Sequence, residues 1–109
     1  ANAFIRGFAL GTNVFTSSTT YTATARDSTI LFYKGGTLYL PDVDGNNVPY
    51  GKVYIIVRGS TDTLTISCSS HSLVGRTWGP VSSYSWTSSS HRDYLMTVGD
   101  ANYWHFVVE

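Results

Sequence analysis

The chain has 109 residues, seven Lys and Arg balance seven Asp and Glu, and only 13% of residues are charged. That length fits one domain, and a zero net charge supplies no field to gather nucleic acid or an anionic membrane. Nothing approaches the ~18 consecutive apolar residues of a membrane helix, and an aromatic content of 15% argues against disorder.

Cys68 is the single cysteine, so no intrachain disulfide can form. The chain begins at Ala1 without Met and carries no signal-peptide pattern, so a processed chain or a domain of a longer protein is expected. Helix formers are scarce: one Glu, two Lys and no Gln. Short β-rich runs between turn residues instead predict an all-β fold, a small antiparallel β-sandwich of jelly-roll type with little or no helix.

In chain order, strands are expected over Ala3–Leu10, Thr20–Ala25, Thr29–Tyr33, Thr37–Leu40, Lys52–Arg58, Thr63–Cys68, Tyr94–Val98 and Tyr103–Val108, with a weaker one inside Val81–Thr87. Residues 1–20 read as a lead-in segment or first strand, and residues 21–109 as the sandwich proper. Gly35-Gly36 sits between two strand runs and suits a hairpin turn. Gly59-Ser60-Thr61-Asp62 and Gly99-Asp100-Ala101-Asn102 read as further hairpin loops. Pro41 has no N–H for a ladder and ends its strand.

Asp42, Asp44 and Asn46 alternate as calcium ligands do. The EF-hand order requires Gly at the sixth position and Glu at the twelfth. Here Gly45 is fourth and Val53 is twelfth, so a plain turn is expected.

Val53 to Val57 are followed by Arg58 and are apolar on both faces of a strand. The reading adopted puts Val53, Ile55 and Val57 in the core and Tyr54 and Ile56 on the second face. Ile30/Phe32 against Leu31/Tyr33 is equally two-sided. Either a partner subunit or residues 1–20 covers that face. In Leu64-Thr65-Ile66-Ser67-Cys68 the alternation is clean, and Cys68 reads as a small core residue.

Residues 73–91 carry Trp78, Tyr84 and Trp86 among small polar residues, two Gly and one Pro. Rigid aromatics in Ser-rich loops suit glycan or protein contact. Arg76, Trp78, Tyr84 and Trp86 are the candidate ligand-binding residues. The competing reading puts Tyr84 and Trp86, two apart, on the inward face of a strand. Catalysis finds little support. His71, His91 and His105 are not in a His-x-x-x-His spacing, and no Gly-x-Ser-x-Gly elbow occurs. His91-Arg92-Asp93 reads as a solvated strand start. No catalytic residue, cofactor or metal site is expected.

The series Asp27–Phe32, Leu38-Tyr39-Leu40-Pro41, Gly51–Val57, Leu64-Thr65-Ile66, Tyr94-Leu95-Met96 and a closing Trp104 resembles the C-terminal head domains of bacteriophage tail fibres and related virion appendages. The likeness covers Tyr21 to Val108. It departs from the pattern at Arg58, where lysine is common, in the aromatic Ser-rich stretch at 82–90, and over residues 1–20. The resemblance implies a small β-sandwich head, a homotrimer, on the virion surface at a fibre tip. Its partner would be a host cell-surface glycan or protein, without nucleic acid or membrane insertion. Two alternatives remain: a carbohydrate-binding module of a secreted bacterial protein, and a structural jelly-roll virion domain.

Overall fold

A computed structural model describes residues 11–45, 47–87 and 94–106. Ten strands run in chain order: β1 Gly11–Phe15, β2 Thr19–Thr22, β3 Asp27–Phe32, β4 Gly36–Tyr39, β5 Val53–Arg58, β6 Leu64–Ser67, β7 Ser72–Val74, β8 Ser83–Trp86, β9 Tyr94–Gly99 and β10 Tyr103–Phe106. No helix occurs among the described residues. The expected strand Ala3–Leu10 and the His91-Arg92-Asp93 stretch lie outside them.

The strands form two sheets, a six-stranded one ordered β1-β3-β5-β9-β10-β7 and a four-stranded one ordered β2-β4-β6-β8. The all-β class is as expected, but the pairing is mixed and not uniformly antiparallel. From β1 to β6 the chain alternates between sheets. Each strand therefore lies parallel to the one two elements earlier: β1 with β3, β3 with β5, β2 with β4 and β4 with β6. A strand of the opposite sheet takes the place of the crossover helix that parallel strands commonly need. The coil ends where β8 returns antiparallel to β6 and β9 antiparallel to β5 and β10. β7 closes the far edge, parallel to β10.

This winding changes what the glycine pairs do. Gly35 and Gly36 have φ of 76° and 124°, the region that favours Gly. They do not make a hairpin, because β3 and β4 belong to different sheets. They turn a corner of the coil, and the corners stack: the Gly36 N–H donates to the Thr63 carbonyl at 3.2 Å. Gly59 to Asp62 likewise join β5 and β6 across the sandwich. Gly99 to Asn102 do form a hairpin. There one Asp100 carboxylate oxygen accepts from the N–H groups of Asn102 and Tyr103 at 2.8 and 2.7 Å. Those bonds, Asn102's foremost, together with His105, hold the Asp100 carboxyl down at about 2.

The core fills the space between the sheets. Ile30, Phe32, Tyr54, Ile56, Trp104 and Phe106 come from one side, and Leu38, Leu64, Ile66 and Trp86 from the other. Cys68 is buried beside them, as its alternation predicted. The phase of β5 is opposite to the expected one. Tyr54 and Ile56 have no exposed surface, while Val53 is 37% exposed and Ile55 and Val57 look outward. The reason lies in the even-numbered partners. The Tyr54 hydroxyl donates to the Thr24 carbonyl at 2.6 Å. Arg58 continues inward, donating to the Trp86 carbonyl at 3.0 Å with its guanidinium 4.9 Å from the Trp86 ring centre. An interface through Tyr54 and Ile56 is therefore excluded.

Candidate functional site

The connection from β7 to β8 passes from an edge of the six-stranded sheet to an edge of the four-stranded one. Leu73 and Val81 clamp its base by two backbone hydrogen bonds, 2.7 and 2.9 Å. Inside the clamp, the Gly75 N–H donates to the Trp78 carbonyl at 2.9 Å, which folds residues 75–78 into a tight turn. The turn needs Gly75 for space, since a Cβ there would overlap the Trp78 indole.

Trp78 stacks on Tyr84 with ring centres 4.5 Å apart and planes at 8°. Both rings tilt against Phe106, at 5.5 and 6.1 Å. The pair thus plugs the open side of the sandwich with its inner part and keeps an exposed rim, beside exposed Arg76. The four candidate residues separate here. Arg76, Trp78 and Tyr84 share the β7–β8 side of the domain. Trp86 is 1% exposed and lies under Arg58 in the core, so it has no face to offer a ligand. Its position in β8, two residues after Tyr84, points it inward.

The outer face of the six-stranded sheet is the second notable surface. Val14, Leu31, Ile55, Val57, Met96 and Val98 fall on it by strand parity, and the ladder registers set Leu31 beside Val57 and Ile55 beside Met96. Its described positions include no Asp, Glu, Lys or Arg.

Asp27 is the most deeply buried carboxylate among the described residues, at 5% exposure. Burial alone raises a carboxyl pKa. Hydrogen bonds from the Tyr21 hydroxyl at 2.6 Å, from the Thr24 N–H at 2.8 Å and from Asn13 outweigh that cost and hold it below its usual range. Tyr21 is in turn pushed up to about 12, by burial first and then by Asp27. This network ties β1, β2 and β3 together through Asp27.

A third cluster joins three chain segments. Asp42 follows Pro41 in the β4–β5 connection, Cys68 follows β6 and His71 precedes β7. One ligand atom from each lies within 4.8 Å of the others. His71 Nδ1 is 3.7 Å from Asp42 Oδ1, and Cys68 Sγ is 3.9 Å from the same oxygen. The His71 side chain is 10% exposed, and neither ring nitrogen has a hydrogen-bond partner. The sequence signal for it was Cys68-Ser69-Ser70-His71, a two-residue ligand gap that a search for His-x-x-x-His passes over. Asp44, by contrast, acts as a turn residue. Asp44 Oδ1 accepts from the Val48 N–H at 3.1 Å, and Asn46 lies outside the described residues.

Comparison with protein-family models, with curated proteins and with solved structures finds no match.

Proposed function

We propose that this domain is a non-enzymatic attachment head that assembles as a homotrimer through the outer face of its six-stranded sheet. The observation that carries the reading is that face. A sheet facing water alternates apolar with polar residues, whereas this one sets Leu31, Ile55, Val57, Met96 and Val98 outward as well as a full core inward. Apolar patches of this kind mark association surfaces. A second copy is the occupant it suits, because two uncharged faces meet without like-charge repulsion. The threefold state is what the tail-fibre resemblance implies. Contact with a host glycan or protein is assigned to Arg76, Trp78 and Tyr84, a rigid aromatic pair beside a cation.

Light scattering at micromolar concentration tests assembly. The expected mass is three chains, and Ile55→Asp is expected to give folded monomers. A monomeric wild-type chain that still binds glycans would instead favour a carbohydrate-binding module, the reading that the Trp78–Tyr84 stack supports on its own.

A further inference from the structure

We propose that Asp42, Cys68 and His71 form a binding site for a zinc-class transition-metal ion. The ligand chemistry is that of zinc: a thiolate, an imidazole and a carboxylate, with a fourth position left for water. The spacing is close to what the ion demands. Tetrahedral bonds of about 2.3 Å to sulfur and about 2.0 Å to nitrogen and oxygen put ligand atoms ~3.3–3.5 Å apart. The two separations to Asp42, 3.7 and 3.9 Å, need a slight contraction to reach that, and all three ligand atoms already lie within 4.8 Å of one another.

His71 points most directly to a ligand. A buried polar atom is costly to leave without a partner, and here both ring nitrogens are in that position. The 3.7 Å gap to Asp42 is too long for a hydrogen bond. A cation seated between them takes the lone pair of one ring nitrogen and shields the carboxylate at once. On binding, the Cys68 thiol gives its proton to solvent as the sulfur–metal bond forms, while neutral His71 donates a lone pair.

The surroundings fit such a site. The Trp104 indole N–H donates to the Pro41 carbonyl at 3.0 Å, which fixes the peptide leading into Asp42. Cys68 is 3% exposed and the Asp42 side chain 52%, so the site is closed at the sulfur and open at the carboxylate. A metal there clips together the β4–β5 connection, the end of β6 and the start of β7, and with them both sheets.

The test is titration of the full chain with cobalt chloride under reducing conditions. The expected result is one equivalent bound, with the intense visible bands of tetrahedral cobalt and a near-ultraviolet thiolate-to-metal charge-transfer band. Zinc chloride is expected to bleach both bands and to raise Tm by about 10 °C at a hundredfold excess over Kd. Cys68→Ser, nearly isosteric, is expected to lose the charge-transfer band, and His71→Ala to weaken cobalt binding at least tenfold. A wild-type chain that shows no charge-transfer band in cobalt excess overturns the proposal, whatever the variants do. So does cobalt binding that survives Cys68→Ser unchanged in spectrum and affinity, which would mark adventitious surface binding.

Discussion

The Tyr54 hydroxyl donates to the Thr24 carbonyl at 2.6 Å and thereby reaches from β5 to the turn between β2 and β3. That bond lets a tyrosine occupy the centre of the sandwich, where it also packs against Trp104 with ring centres 5.4 Å apart. Burial and the nearby Asp27 charge both push the Tyr54 phenol above its ordinary value, so it stays protonated and remains a donor.

Tyr54→Phe keeps the ring and removes the donor. The Thr24 carbonyl then loses its partner, and stability should fall by about 1 kcal/mol. Chemical denaturation measures it. A variant as stable as wild type would mean that water satisfies the carbonyl.

The phase of β5 separates neighbouring substitutions. Ile56→Asp places an unpaired carboxylate in the core and should prevent folding. Ile55→Asp points outward and should fold, with native near-ultraviolet circular dichroism. If both variants fold, or neither does, β5 does not present the faces described.

Trp78 is only partly buried against the core, and mutation can weigh that packing. Trp78→Ala should cost about 2 kcal/mol, roughly half of the 3–5 kcal/mol expected for Trp104→Ala, because only its inner part is packed. Gly75→Ala drives the indole out of the same seat. The two changes remove one set of contacts, so the double variant should fall well short of the sum. Additive losses in thermal melts would show that Gly75 and Trp78 act independently.

The Asp27–Tyr21 bond gives stability an acid and an alkaline limit. Asp27 has a folded pKa below the unfolded 3.8. The folded state thus binds this proton less readily than the unfolded one. Its contribution is present above pH 3.8 and is lost as pH falls through the folded value. Tyr21 is raised from 10.0 to about 12, so its contribution is complete below pH 10.0 and declines as pH climbs toward 12. Tyr21→Phe should flatten the alkaline decline of Tm, and Asp27→Asn the acid one. Unchanged slopes in both variants would assign the pH dependence to other groups.

Strand type, most strand positions and the inward side of β6 were legible in the sequence, because Leu64, Ile66 and Cys68 alternate strictly with Thr65 and Ser67. Trp104 was legible as core from its place in the closing strand. β1 and β7 were not. Gly11–Phe15 is short and half polar, and Ser72–Val74 is three residues long, so both are strands only because β3 and β10 offer them edges. The phase of β5 could not be read from a strand apolar on both faces, since a shift of one residue leaves the pattern equally good. It was decided by Thr24 and Trp86, which meet Tyr54 and Arg58 only across the sandwich. Gly35-Gly36 announced a turn, yet whether it made a hairpin or a corner depended on which sheet received β4. Arg76, Trp78 and Tyr84 stood out by local composition as candidates for contact, while the burial of Trp86 depends on the opposite sheet and could not be read locally. Asp42, Cys68 and His71 meet because coiling brings the end of β4 beside the β6–β7 corner, a contact between residues 26 apart at Cys68 and Asp42 that no local pattern encodes.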